Sequence, residues 1–190
     1  TIVVIMFSSV GVLIVPFIAV YTKGITDADY YQPIFAVLIT LAQAIYCIRL
    51  PYNTMVLAAG HYKQTQMSAI VEMCLNVIVS IILVFKFGLH GVAIGTLIAL
   101  AYRTFYLAAY LANNILEYSI TSFLRNVGID FLSVVIIVLL TYPMKLGELS
   151  YVSWAVLALQ VFATVLLVVI IINLIFNRNY MLEVIKGKIR

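Results

Sequence analysis

Charge is what this sequence has least of. Of 190 residues, 9% are Asp, Glu, Lys or Arg, against about 25% in ordinary soluble domains. A soluble enzyme is excluded by that figure taken with the 65% of residues in the apolar set AVILMFWYC. Catalytic motifs are missing too: no P-loop, HExxH, CxxC or GxSxG pattern occurs, so nothing points to an ATPase, a metal site or a hydrolase. The chain reads as no enzyme, and no cofactor or metal is expected. Only two cysteines are present, Cys47 and Cys74, both inside apolar runs, where a thiol is expected to behave as a small buried hydrophobe. The two histidines, His61 and His90, fall in short turns and are expected to be solvated. The first residues lack a basic flank and a small-residue cleavage site, so they do not resemble a signal peptide. With Thr1 in first place and no initiator Met, the chain reads as a fragment of a longer protein. The formal net charge of +4 gathers toward the C-terminus as a basic membrane-edge tail, with no stripe that would suit nucleic acid.

What the sequence does have is uncharged length. The mean hydropathy is +1.17, and about 20 helical residues cross the roughly 30 Å of bilayer hydrocarbon. Six spans fit, at about 1–22, 33–59, 66–85, 92–111, 126–142 and 151–176, followed by the basic tail 177–190. The fold class expected is therefore all-α, a polytopic transmembrane helix bundle. Pro33 suits the first turn of the second span, where its missing N–H is no loss, and Pro51 predicts a kink in that span. Residues Gly60 to Lys63 read as a turn. The short link Lys86 to Gly91 makes spans three and four antiparallel neighbours. Gly91 and Gly95 have the small-xxx-small spacing that lets helix backbones approach closely. Residues Asn113 to Arg125, with Glu117 and Tyr118, read as an interfacial stretch, and Asp130 as an interfacial residue near the start of span five. Asn173 in span six is suited to hydrogen-bonding a neighbouring helix.

Basic residues in short loops are retained on the cytoplasmic side. Placing both ends of the chain in the cytoplasm puts Lys63, Arg125, Arg178, Lys186, Lys188 and Arg190 inside, against Lys23, Lys86 and Lys145 outside. Single cysteines replacing Asp27, Lys86 and Lys145 are therefore expected to react with an impermeant thiol reagent in intact cells. Cysteines replacing Lys63 and Lys188 are expected to react only after the membrane is opened. The reverse labelling pattern would refute this orientation.

An ionisable residue inside a span costs at least about 2.5–3.5 kcal/mol on insertion scales, so each is a functional candidate. Three qualify: Arg49, Glu72 and Arg103. In the orientation above they fall in one cytoplasm-side layer, roughly 9–15 Å deep at 1.5 Å per residue. Helical spacing continues each into a polar stripe: Gln43, Tyr46, Arg49, Asn53 on span two; Ser68, Glu72, Asn76, Ser80 on span three; Thr96, Ala99, Arg103, Tyr106, Tyr110 on span four. Three such stripes could line one wet cavity carrying about one unit of positive charge. Guanidinium forks bind phosphate oxygens, and tyrosines and amides hold sugars by stacking and hydrogen bonds. On this basis Arg49, Arg103, Asn53, Asn76, Tyr46 and Tyr106 are expected to bind an anionic substrate, and Glu72 to couple an ion gradient. The competing expectation is structural, with one arginine paired to Glu72 and the other snorkelling to the interface.

Short motifs carry a family resemblance. Tyr21 to Tyr30 (YTKGITDADY), Ile48 to Tyr52 (IRLPY), Ala58 to Thr65 (AAGHYKQT), Glu72 with Asn76, Phe87 to Thr96 (FGLHGVAIGT) and Arg103 together resemble the polysaccharide-transporter family of bacterial oligosaccharide flippases. The likeness is best over residues 10 to 115, and the last two spans share only hydropathy. It implies a longer protein of two pseudo-symmetric bundles in the bacterial cytoplasmic membrane, of which this chain is the second. Such proteins move undecaprenyl-pyrophosphate-linked sugars between leaflets by alternating access. The implied partners are membrane lipid, a lipid-linked anionic oligosaccharide and the N-terminal bundle of the same protein; alone, this chain is not expected to transport. Two alternatives stand beside it: a multidrug and toxin cation antiporter of the same superfamily, and a non-transporting membrane scaffold.

Overall fold

The computed structural model describes residues 1–27, 29–115 and 120–176. Six helices are long and apolar enough to cross a membrane: α1 (Ile2–Tyr21), α2 (Pro33–Ala58), α3 (Tyr62–Phe87), α4 (Leu89–Asn114), α5 (Ile120–Thr141) and α6 (Tyr151–Phe176). The chain is an all-α, multi-pass membrane protein. Pro33 opens α2 as its first residue, and α2 continues through Pro51 without a break.

Several helices run past the apolar slab that marked them. Tyr62 and Lys63 are helical rather than part of a turn, leaving Gly60 at φ +76° to reverse the chain before His61. Between α3 and α4 the link shrinks to Gly88 alone, at φ +56°, so His90 lies in the first turn of α4 rather than in a loop. A non-glycine residue at that φ would be strained. α4 extends to Asn114 and α5 begins at Ile120, ahead of the expected Asn126. Asp130 falls within the apolar segment Phe123–Thr141, with its carboxylate 4.0 Å from the Thr1 amine that precedes α1. Glu117, Tyr118 and the basic tail 177–190 lie outside the described residues.

The cysteines also depart from expectation, for Cys47 is half-buried and Cys74 exposed, both as free thiols. A span has one side that faces outward, toward lipid or a neighbour. An apolar sequence context therefore does not fix burial inside the protein.

The described residues group into two compact units, those of 1–31 with 125–176, and those of 32–124. In the first, α1 packs along α6 around a valine-rich core in which Val161, Val165 and Ile137 are fully enclosed. Trp154 Nε1 donates to the Leu13 carbonyl at 3.3 Å, and its ring meets Phe17 edge-on at 5.2 Å. Asn173 Nδ2 donates within α6 to the Val169 carbonyl, and its Oδ1 accepts from Thr1 Oγ1 at 3.4 Å, so this amide does tie its helix to another segment. Arg125 donates to the carbonyl of Phe176 at 3.2 Å.

In the second unit α4 is the central helix, packed against both α2 and α3. Its first half presents Gly91, Gly95 and Ala99, all buried, and the second half presents Leu107 and Leu111, which enclose Val56 of α2. Small residues are needed on the first stretch. A Cβ on Gly91 would overlap the backbone of Leu83, and one on Gly95 would overlap Ser80. Gly95→Leu is thus expected to destabilise the chain by about 1–3 kcal/mol through overpacking. Gly128→Ala is expected to be neutral or mildly stabilising, because a Cβ there meets nothing within 4 Å and alanine favours the helix. Thermal unfolding of both variants in one detergent checks the pair; an unshifted Gly95→Leu would show that the α3 and α4 backbones do not approach.

Candidate functional site

Two hairpins of nearly equal arms bring three charged residues to one level. Arg49 on α2 and Glu72 on α3 are 23 positions apart with Gly60 near the midpoint, and Glu72 and Arg103 on α4 are 31 apart with Gly88 near the midpoint. In an antiparallel pair, residues equidistant from the turn come side by side. Helix length between the turns, set by the positive-φ glycines, therefore decides that these side chains meet.

They meet as a bridged cluster. Arg49 Nη1 donates to one carboxylate oxygen of Glu72 at 2.5 Å, and Arg103 Nη1 donates to the other at 2.7 Å. The side chains of Arg49, Glu72 and Arg103 are only 10%, 16% and 22% exposed. The expectation that one arginine pairs while the other snorkels is therefore corrected: both guanidiniums turn inward onto one carboxylate. Each uses a single nitrogen, although a guanidinium offers five N–H donors. Arg103 Nε is buried with no hydrogen-bond partner among the described residues.

The charge of the cluster does not close. Glu72 is the sole carboxylate in residues 32–115, so two guanidiniums share one negative charge and about one positive unit remains. Burying an ion without a counter-charge is costly. Tyr46 supplies part of the compensation, its ring lying beneath the Arg49 guanidinium at 4.8 Å from the centroid, a cation–π contact of about 0.5–2 kcal/mol.

The other expected site residues divide between this cluster and the helix contacts around it. Asn76, one turn along α3 from Glu72, accepts hydrogen bonds on Oδ1 from Ser80 at 3.2 Å and from Thr96 of α4 at 3.3 Å. Those groups stitch α3 to α4. Tyr106 stands in a row with Tyr102 and Tyr110, at centroid separations of 6.3 and 6.2 Å, and packs on the Val56, Leu107 and Leu111 cluster. Among the described residues no hydrogen bond joins it to the charged cluster. Asn53 is half-buried on α2 one turn beyond Arg49, and among the described residues no hydrogen bond ties it to the cluster.

One contact was invisible in the sequence. His61 Nδ1 lies 3.0 Å from Tyr110 Oη, with the rings edge to face, so this histidine is a half-buried tie between the α2–α3 turn and α4 rather than a solvated turn residue. A polar residue at a turn and a tyrosine 49 positions away share no local pattern. Only the hairpin geometry relates them.

No protein-family model, curated protein or solved structure matches the chain.

Proposed function

We propose that this chain is the C-terminal bundle of a bacterial flippase that resembles the polysaccharide-transporter family and moves undecaprenyl-pyrophosphate-linked oligosaccharide across the cytoplasmic membrane. It acts as a carrier rather than an enzyme, works with the N-terminal bundle of the same protein, and receives its substrate from the lipid phase. One observation carries the proposal: Arg49 and Arg103 converge in spanning helices on a single carboxylate, leaving positive charge within the membrane that calls for a second anion. Phosphate oxygens meet that need, and planar guanidinium forks receive them in pairs. Tyr46, Asn53 and the tyrosine row of α4 supply stacking and hydrogen-bonding groups on adjoining helix turns for the sugar portion.

A cation antiporter fits the site less well, since Glu72, the one carboxylate in residues 32–115, is already covered by two guanidiniums. A scaffold has one observation in its favour, the Asn76, Ser80 and Thr96 stitch, which is an interhelical tie. Reconstitution of the full-length protein in vesicles decides among the three. A lipid-linked oligosaccharide added to one leaflet should become accessible to a soluble glycan probe on the other, and protein-dependent accessibility at the lipid-only background rate would end the flippase reading.

A further inference from the structure

The Glu72 carboxylate lies where the anionic group of a ligand would lie. Each oxygen takes one nitrogen from one arginine, at 2.5 and 2.7 Å, so neither guanidinium is held by the two-nitrogen fork that makes such pairs strong. Both forks are half used, by the same small anion, and no other carboxylate occurs in residues 32–115 to replace it.

We propose that Glu72 is a built-in competitor: an internal anion that holds Arg49 and Arg103 together while the site is empty and is displaced from them by the phosphate oxygens of a ligand. The inference rests on the anion-binding reading above and adds how that site is regulated. A phosphate group reaching the two arginines offers more acceptor oxygens than the carboxylate and engages each fork through two nitrogens, so exchange runs toward the ligand. Once the ligand leaves, the carboxylate is one side-chain rotation away and restores the empty state. Two arginines without such a competitor would retain a diphosphate, and a carrier must bind weakly enough to release. Tyr46 beneath Arg49 keeps that guanidinium in place through the exchange.

The sign of one substitution separates this role from a positioning one. If Glu72 merely orients the arginines, its removal scatters them and weakens anion binding; if it competes, removal strengthens binding. The measurement is calorimetric titration of inorganic pyrophosphate into the chain in lipid nanodiscs, at fixed pH and ionic strength without divalent metal. Glu72→Gln is expected to bind about tenfold more tightly than the unaltered chain, the scale of one lost charge–charge competitor. Glu72→Asp keeps the charge but is one methylene too short to span both guanidiniums, and is expected to bind about threefold more tightly on the same scale. Equal or weaker binding by a folded Glu72→Gln protein overturns the proposal. Should that variant not fold, equal or weaker binding by Glu72→Asp overturns it instead. Arg49→Ala separates the two levels of inference. If it abolishes pyrophosphate binding while the Glu72 variants show no gain, the competitor role falls and the anion site stands. If neither the unaltered chain nor any Glu72 variant binds pyrophosphate, the anion site falls and the competitor with it.

Discussion

Arg49→Ala and Arg103→Ala, each made in the full-length flippase proposed above, are expected to lower the rate of oligosaccharide flipping by about 10- to 100-fold, the equivalent of about 1.5–3 kcal/mol of charge-assisted hydrogen bonding. Insertion and abundance should stay near normal. The reason lies in the charge of the cluster. Removing one arginine leaves the other paired with Glu72, a neutral couple, so the fold gives up a hydrogen bond but sheds an uncompensated buried charge. The ligand loses half of its guanidinium pair. Lysine at either position should rescue only in part, since an ammonium offers a point charge and no planar fork. Flipping assayed in vesicles and protein level assayed in the same membranes check the prediction. Degradation or mis-insertion of both alanine variants would mean that the cluster serves the fold alone.

This asymmetry could be anticipated from the sequence only in outline. Arg49, Glu72 and Arg103 stand out because ionisable residues are rare in spans, and equal distances from two turns put them at one depth. What the stripe pattern could not decide is which stripes face each other. Asn76 and Thr96 both lie on polar faces and so looked like walls of a cavity; in the structure they bond across the α3–α4 contact that Gly91 and Gly95 make close. Helical periodicity reports the face a residue occupies and is silent on what the face meets.

Helix ends were legible where a backbone constraint marks them, as at Pro33, and illegible where only hydropathy changes. Lys63 and Gln64 are polar yet favour helix, and α3 includes them. Hydropathy measures the slab of hydrocarbon, and the hydrogen-bonded helix continues beyond it into the interface.

Glu72→Gln is expected to behave in the opposite way to the arginine variants, losing stability before anything else. It leaves two guanidiniums facing each other with no carboxylate in residues 32–115 to hold them. Breaking a buried ion pair by removing one partner costs about 3–5 kcal/mol, and here a single residue serves two pairs. Replacing the whole cluster with apolar residues of similar volume, as Arg49→Met, Glu72→Leu and Arg103→Met together, removes the desolvation penalty along with the attraction and is often neutral or stabilising. The triple variant should therefore regain the thermal stability that Glu72→Gln loses, and it should insert normally. If the cluster exists to lock three helices, the triple variant should also support whatever the unaltered protein does, since its helices are joined as firmly. If the charges exist to meet an anion, it should be the most stable variant of the series and flip no faster than protein-free vesicles. Unfolding temperature and flipping rate measured on the same preparation separate these outcomes. A stable triple variant with full flipping activity would leave Arg49, Glu72 and Arg103 with no part in transport.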